Sequence, residues 1–138
     1  MASPEKKHIQ VVAAAIFQGD AVFCFKKGAD KFPYLSKKFE FPGGKINGKE
    51  KKEVALSREI KEELDVEIVV KEEILTVDHV YPDFSLTMTC FRCNAEHSKF
   101  KLNEHLEVKL VHVSKLLELE WLAADLPIVK EIMEMHGG

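Results

Sequence analysis

The sequence predicts an α/β fold in which a mixed β-sheet is sandwiched between α-helices. Its 138 residues, 46% of them hydrophobic, are enough for one compact core and too few for two. Runs with the composition of β-strands alternate with stretches of helical period, which is the pattern of a sheet covered by helices. The sequence contains no internal repeat, low-complexity tract or Gly/Ser-rich linker, so we expect a single domain over residues 1–138.

Two strands joined by a hairpin open the predicted sheet. Residues 8–17 and 21–25 are mainly apolar, and Gln18-Gly19-Asp20 between them has the composition of a tight turn. We expect a loop over residues 26–38. A short segment, Glu40-Phe41-Pro42-Gly43-Gly44, follows and is expected to end in a turn, because Pro and Gly favour turns.

The first predicted helix covers residues 50–64, where Leu56, Ile60 and Leu64 recur at the spacing of one buried face. Residues 68–80 and 84–93 are rich in β-branched and aromatic residues, and a turn sequence joins them. That turn is Tyr81-Pro82-Asp83.

The last third of the chain predicts one more strand and one more helix. Residues 108–113 would form the strand, and Ser114 would cap a short helical turn after it. Asp125-Leu126-Pro127 would open a final helix that runs to about Met135.

Charge and hydropathy exclude several classes of function. The 20 basic residues are outnumbered by 23 acidic ones, which gives a net charge of -3 and leaves no basic field for a nucleic-acid polymer. No apolar stretch approaches the roughly 20 residues that span a bilayer, and residues 1–7 lack the apolar segment of a signal peptide. We therefore expect a cytoplasmic protein that acts on neither membranes nor nucleic-acid polymers.

The three cysteines are expected to be free thiols, because an odd number without a secretion signal suits a reducing compartment. Cys90 and Cys93 have the spacing of a redox or metal site. On a strand, however, positions i and i+3 face opposite sides, and no second cysteine pair exists to complete a zinc site. The six histidines show no metal-ligand signature, and most are expected at the surface.

Three glutamates of the first predicted helix carry the clearest functional signal. Glu59, Glu62 and Glu63 lie at i, i+3 and i+4 and therefore share one face. Like charges at this spacing destabilise a helix by about a few tenths of a kcal/mol per pair, so the face is either solvated or neutralised by a cation. Hard oxygen ligands suit Mg²⁺ or Mn²⁺, and these ions suit phosphate substrates.

The residues around this face suggest supporting roles. Arg58 follows Glu50 by eight positions and is expected to face away from Glu62, so that it ties the preceding loop to the helix through Glu50. Gly43 and Gly44 allow close approach of the backbone, and a carbonyl there could complete a metal shell. An ordinary Pro-Gly-Gly turn is the alternative.

The order of these residues resembles the Nudix box. It reads Gly44-x5-Glu50-x7-Arg58-Glu59-Ile60-x-Glu62-Glu63-x-x-Val66, preceded by Glu40-Phe41-Pro42-Gly43-Gly44-Lys45-Ile46. The similarity is to the MutT-like branch of the Nudix hydrolases and extends over about residues 8–132. The resemblance implies a Nudix fold, and we expect a monomer or homodimer. It also implies hydrolysis of nucleoside triphosphates, with Mg²⁺ or Mn²⁺, to the monophosphate and pyrophosphate.

The resemblance assigns roles to individual residues. Those that match the metal ligands of the family are the carbonyl of Gly43 and the side chains of Glu59, Glu62, Glu63 and Glu104. The alternative is that Glu104 is an ordinary loop glutamate. Lys27 matches a phosphate-contacting position, or is a solvated surface lysine. Glu59 and Glu104 both remain open as the general base, because distances decide that role.

Two departures from the box concern the ends of the helix. Asp65 replaces the terminal glycine, which would serve as a left-handed C-cap, and Asp adopts that conformation more readily than most residues. Lys51 and Lys52 stand where a Ser, Thr or Asp cap is usual, near the positive end of the helix dipole. Both departures concern stability rather than chemistry.

The base pocket of the MutT-like branch is matched by Phe41, Tyr81, Phe84 and Asp125. The aromatic rings could stack on a base or belong to the core. Residues 122–127 resemble the CTP pyrophosphohydrolase subgroup, whereas members that remove 8-oxoguanine often carry Asn in place of Asp125. A plain helix cap is the alternative.

The protonation state of Asp125 bears on the choice of base. An ionised carboxylate only accepts hydrogen bonds and suits the N1-H and N2-H donors of guanine. A carboxyl that burial keeps protonated both donates and accepts, which suits cytosine. We expect CTP, dCTP or a modified pyrimidine nucleotide as the substrate, with 8-oxo-dGTP as the alternative.

Two rival classes are a Nudix-like domain that senses a nucleotide without hydrolysing it and a purely structural interaction domain. Loss of a glutamate from the metal face would favour the sensor, and none is lost. A structural domain would leave the acidic face and the two glycines unexplained.

Overall fold

A computed structural model describes residues 7–137 and confirms the predicted α/β class. The strands are β1 (Lys7–Gln18), β2 (Ala21–Lys27), β3 (Phe39–Glu40), β4 (Gly43–Lys45), β5 (Ile68–Val80), β6 (Phe84–Ala95) and β7 (His105–His112). The helices are α1 (Lys52–Leu64) and α2 (Leu126–Gly137). Short 3-10 turns cover Pro33–Leu35, Val113–Glu118 and Ala123–Asp125. The expectation that residues 1–7 form no signal peptide concerns a segment that, except for Lys7, lies outside the described residues.

The sheet is mixed, and β1 is its centre. The strand order is β3-β2-β1-β6-β5, with β4 paired to β1 and β7 paired to β2. β1 runs parallel to β6 from Lys7 opposite Phe84 to Ile16 opposite Cys93, and the other pairs are antiparallel. The predicted hairpins at residues 18–20 and 81–83 are both confirmed.

Two hydrophobic cores lie on opposite faces of this sheet, and β1 contributes to both. Val12, Ala14 and Ile16 belong to the core that α1 completes with its predicted stripe of Leu56, Ile60 and Leu64. The residues that alternate with these along β1 belong to the core under α2; they are Ala13, Ala15 and Phe17. Because side chains alternate along a strand, one strand holds both helices against the sheet.

The ends of α1 differ from each other. Lys51 occupies the N-cap position and makes no side-chain capping hydrogen bond within the described chain. Asp65 adopts the left-handed conformation with φ 53°, and its N–H donates to the Lys61 carbonyl at 3.1 Å. The C-cap expected from Asp65 is therefore confirmed.

Two local expectations are wrong. Gly43 and Gly44 do not form a turn but begin β4, where they pair with Ala13 and Val12 of β1. Ser114 is not a cap either. The N-cap of the Val113–Glu118 turn is His112, whose Nδ1 accepts the N–H of Ser114 at 3.2 Å. An imidazole nitrogen thus accepts the N–H that the side-chain oxygen of Ser, Thr, Asp or Asn accepts in most N-caps.

The cysteines are free thiols, as expected, and all three are buried. Cys90 belongs to the core under α2 and Cys93 to the core under α1, so the two thiols face opposite sides of β6. Burial raises the pKa of Cys24 and of Cys93 to about 12 and raises that of Cys90 well above its usual value. Among the described residues, no helix has the length and apolarity that crossing a membrane requires.

Candidate active site

Two glycines bring β4 into close contact with its neighbours. A Cβ atom at Gly43 would overlap the backbone carbonyl of Val12, and one at Gly44 would overlap the side-chain carboxylate of Glu59. A side chain at either position would therefore push β4 away from β1 or displace Glu59. Glycine at position 44 allows the acidic face of α1 to lie directly on the β4 backbone.

Arg58 connects the loop before α1 to the acidic face. Its Nε donates to Glu50 Oε2 at 2.9 Å, and its Nη2 donates to Glu50 Oε1 at 3.0 Å and to the Lys45 carbonyl at 3.1 Å. These hydrogen bonds hold the pKa of Glu50 below its usual value. The planar guanidinium fork suits such a paired contact with a carboxylate.

The same guanidinium also reaches the acidic face. Arg58 Nη1 donates to Glu59 Oε1 at 2.9 Å and lies 3.5 Å from Glu62 Oε1. The expectation that Arg58 faces away from Glu62 is therefore wrong. Residues four apart lie one turn apart on the same helix face, and the long arginine side chain bridges that distance.

Glu63 is a partly buried carboxyl group among other carboxylates. Its Oε2 is buried without a hydrogen-bond partner among the described residues. Burial, and then the charges of Glu40, Glu59, Glu104 and Glu62, raise the pKa of Glu63 to about 9. Glu63 therefore lies within electrostatic reach of four other carboxyl groups.

The segment before β7 is held against the C-terminal end of α1. The Lys101 N–H donates to the Leu64 carbonyl at 3.0 Å. Asn103 donates its backbone N–H to the Glu63 carbonyl at 3.2 Å and its side-chain Nδ2 to the Glu62 carbonyl at 3.1 Å. Carbonyls that a helix leaves unpaired at its end are thus satisfied, and the exposed Glu104 is brought close to Glu63.

The predicted metal ligands do not form a ready-made shell. Within residues 7–137, no group of three or more His, Cys, Asp and Glu side chains is close enough to hold a metal ion. Arg58 engages both Glu59 and Glu62 instead. The residues nevertheless fit a hard divalent cation, because the donors are all oxygens, Glu63 Oε2 lacks a partner, and Gly44 leaves room for Glu59.

The predicted substrate-binding residues do lie together. A pocket of about 190 Å³ is lined by Lys27, Phe41, Tyr81, Phe84 and Asp125. It continues past Glu40 to Gly43 and Gly44, and so to the acidic face of α1. A pocket with apolar walls and a few polar groups is typical of small-molecule sites.

Asp125 is the most buried polar group of this pocket. It is 3% exposed, and its Oδ2 accepts the backbone N–H of Phe41 at 2.9 Å. Burial, and then the charge of Glu40, raise the pKa of Asp125 well above its usual value, although the Phe41 N–H opposes the shift. Burial thus favours the protonated form of the carboxyl group, which can donate as well as accept.

Aromatic rings form one wall of the pocket. The Tyr81 ring lies 5.2 Å from Phe84 and 5.4 Å from Tyr34, and the Tyr81 hydroxyl accepts the Ala124 N–H at 3.0 Å. Tyr34 in turn donates to Asp83 Oδ2 at 2.7 Å. Phe41 and Tyr81 are almost fully buried, so each ring also serves the core.

Lys27 ends β2 at the edge of the pocket. Its Nζ lies 3.4 Å from Asp30 Oδ2, and about a third of its side chain is exposed. The ammonium group is therefore engaged by the following loop. A phosphate would have to compete with Asp30 for it.

Several residues at the site carry no role in the sequence-based prediction. Asn103 anchors the Glu104 segment, and Tyr34 extends the aromatic wall. Glu40 and His105 are hydrogen-bonded to each other. The only available signal was that Glu40 and His105 each stand next to predicted site residues, Phe41 and Glu104.

Comparison with known proteins identifies the family. A NUDIX domain model matches residues 12–131, well over half of the chain, and the chain therefore belongs to the NUDIX domain family. It is an enzyme of the class that hydrolyses phosphoric anhydride bonds.

Two relatives and one solved structure illustrate the similarity. A protein of Mycobacterium tuberculosis, provisionally named 8-oxo-dGTP diphosphatase 2, is 29% identical over 132 residues, which cover 93% of this chain and 90% of that protein. The CTP pyrophosphohydrolase of Escherichia coli K12 is 25% identical over 131 residues, covering 95% and 96%. The crystal structure of the MutT protein from Methanosarcina mazei Go1 superposes with a TM-score of 0.84 at 23% identity, covering 99% and 100%, and shows the same fold.

Proposed function

We propose that this chain is a nucleoside triphosphate pyrophosphohydrolase that requires Mg²⁺ or Mn²⁺ and prefers CTP, dCTP or a modified pyrimidine nucleotide. The products would be the nucleoside monophosphate and pyrophosphate. The observation that carries the proposal is the buried carboxyl group of Asp125 on the wall of a pocket that leads to the acidic face of α1. The family places the reaction among phosphoric anhydride hydrolyses.

The acidic face would serve the phosphates. The residues that would hold the metal are Glu59, Glu62, Glu63, Glu104 and the carbonyl of Gly43. Bound there, a divalent ion would neutralise charge on the triphosphate and on the carboxylates of the acidic face. Glu59 or Glu104 would take the proton of the water that attacks an internal phosphorus, and pyrophosphate would leave. Lys27 would contact a phosphate in place of Asp30.

The pocket would hold the base. With Asp125 Oδ2 already accepting the Phe41 N–H, Oδ1 is the oxygen available to a ligand. In the protonated carboxyl group it can donate to the N3 acceptor of cytosine. The rings of Phe41, Tyr81 and Phe84 would contact the faces and edge of the base.

A second candidate substrate is 8-oxo-dGTP. The name of the relative from Mycobacterium tuberculosis favours it. Guanine would require an ionised Asp125 that accepts from N1-H and N2-H, and the burial of that carboxyl group opposes ionisation. This conflict is the reason for placing a cytosine nucleotide first.

The experiment is a phosphate-release assay with added inorganic pyrophosphatase and Mg²⁺ over CTP, dCTP, dGTP and 8-oxo-dGTP. We expect kcat/KM to be highest for a cytosine nucleotide, with phosphate released only when pyrophosphatase is present. A higher kcat/KM for 8-oxo-dGTP would favour the second candidate. Nucleotide binding without hydrolysis of any substrate would instead establish a sensor and contradict the proposal.

A further inference from the structure

A buried histidine holds one carboxylate of the pocket in place. His105, the first residue of β7, lies with its Nε2 2.9 Å from Oε2 of Glu40, the last residue of β3. Both strands pair with β2, one on each side. The imidazole side chain is 1% exposed and packs on the ring of Phe25, with 5.3 Å between ring centroids.

The direction of this hydrogen bond follows from the groups involved. An ionised carboxylate only accepts, so Nε2 of His105 carries the proton and donates it. Nδ1 of His105 is buried and has no partner among the described residues. Within residues 7–137, no acceptor near Nδ1 therefore favours the tautomer in which Nδ1 carries the proton. Oε2 of Glu40 is thereby occupied, while Oε1 has no hydrogen bond within the described chain.

Glu40 lies between the two halves of the site. It lines the pocket together with Asp125. Its charge contributes to the raised pKa of Asp125 on one side and of Glu63 on the other. The pocket is thus lined by Asp125, whose burial favours the protonated form that can donate, and by Glu40, whose carboxylate form only accepts.

A donor beside an acceptor is complementary to a base that has a ring nitrogen acceptor next to an exocyclic amino group. We propose that His105 is a positioning residue for base selection: it fixes Glu40 so that Oε1 accepts a hydrogen bond from the exocyclic amino group of the substrate base. The inference builds on the proposed nucleotide hydrolysis and adds the group that is recognised. Uracil has a carbonyl in place of the amino group. Its oxygen and Oε1 of Glu40 would both be acceptors, so no hydrogen bond would form between them.

The test compares CTP with UTP, whose base has a carbonyl in place of the amino group and an N3–H in place of the N3 acceptor. The difference at N3 would face Asp125, which is unchanged in every variant. Four variants are needed. His105→Leu removes the donor, and His105→Gln returns an N–H near the position of Nε2. Glu40→Gln removes the charge of the acceptor, and His112→Leu makes the same substitution at the exposed far end of β7 as a control. The measured quantity is the ratio of kcat/KM for CTP to that for UTP, together with the melting temperature of each variant.

We expect His105→Leu and Glu40→Gln to lower this ratio by roughly tenfold or more, mainly through a higher KM for CTP. His105→Gln and His112→Leu should keep the ratio of the wild type. A ratio that stays unchanged in His105→Leu, with kcat/KM falling equally for both nucleotides, would overturn the proposal and leave His105 a structural role. If His105→Leu does not fold, an unchanged ratio in Glu40→Gln has the same meaning.

The outcome for the wild type separates this inference from the proposed function. If the wild type hydrolyses no nucleotide, the proposed function fails and the inference falls with it. If the wild type is active on purines only, the same variants are assayed with GTP and ITP, whose bases differ only by one amino group. Activity with a ratio that none of the His105 and Glu40 variants alters contradicts the inference alone.

Discussion

Two substitutions of Asp125 separate recognition of the base from support of the fold. The wild-type carboxyl group is 3% exposed and accepts the Phe41 N–H at 2.9 Å. Asp125→Asn keeps an acceptor for that N–H and adds a permanent N–H donor. Asp125→Ala removes both, so the Phe41 N–H and the edge of the bound base lose their partner.

The cost of the alanine substitution can be estimated from these contacts. A buried polar group left without a partner costs about 1–3 kcal/mol. For the base, this predicts a roughly tenfold to hundredfold drop in kcat/KM for the preferred nucleotide. A similar loss from the unpaired Phe41 N–H would appear in the free energy of unfolding. In Asp125→Asn, turnover of dCTP should survive.

The pH dependence gives an independent readout. Burial first, and the charge of Glu40 second, raise the pKa of Asp125 in the folded protein. As the pH rises through that raised pKa, the donor is lost, so kcat/KM for dCTP should fall in the wild type and fall less in Asp125→Asn. A raised folded-state pKa also means that this group's contribution to stability is complete below about pH 3.9 and is lost as the pH rises through the folded-state value.

The assay is steady-state kinetics on dCTP, dGTP and 8-oxo-dGTP from about pH 6 to about pH 9. Asp20→Asn, in the exposed hairpin turn after β1, serves as the matched control. An unchanged base preference in Asp125→Ala would refute the reasoning. It would mean that the carboxyl group only anchors the Phe41 backbone.

Three further predictions concern the acidic face. Glu62→Gln should lower hydrolysis by at least ~10²-fold, with little change in melting temperature because the side chain is 60% exposed; equal turnover would contradict a metal role. Gly44→Ala should also lower activity in the phosphate-release assay, because the added methyl group would overlap the Glu59 carboxylate. Millimolar Mg²⁺ should raise the melting temperature of wild type but not of Glu63→Gln, and an equal shift in both would argue against this site.

Local patterns explain how much of the architecture could be predicted. The strands, both hairpins and the buried stripe of α1 follow from period and turn composition, which depend on residues close in sequence. The acidic face follows from helical spacing alone, since Glu59, Glu62 and Glu63 are constrained to one side. Gly43 and Gly44 lie in a strand rather than in the expected turn, because their pairing with β1 is made by residues distant in sequence. The close backbone approach expected at these glycines is confirmed at Gly44, which lies against Glu59.

Contacts between distant residues explain what sequence reasoning missed. Glu40 and His105 are 65 positions apart, and nothing in either segment indicates that β3 and β7 flank the same strand. The contact of Arg58 with Glu62 is different, because a separation of four residues on a helix already indicates that the two side chains can meet. The anchoring of the Glu104 segment by Asn103 likewise depends on where the chain returns to α1.

The double use of β1 has a consequence for how the molecule folds and unfolds. Val12, Ala14 and Ile16 pack on one side of β1, and Ala13, Ala15 and Phe17 pack on the other. If either helix detaches from the sheet, it exposes one face of β1, and the other helix packs on the opposite face of the same strand. The parallel partner of β1 is β6, which begins 77 residues later with Phe84 opposite Lys7. A chain emerging from the ribosome therefore cannot complete either core until most of it has been made, and we expect a single cooperative transition dominated by non-local pairing.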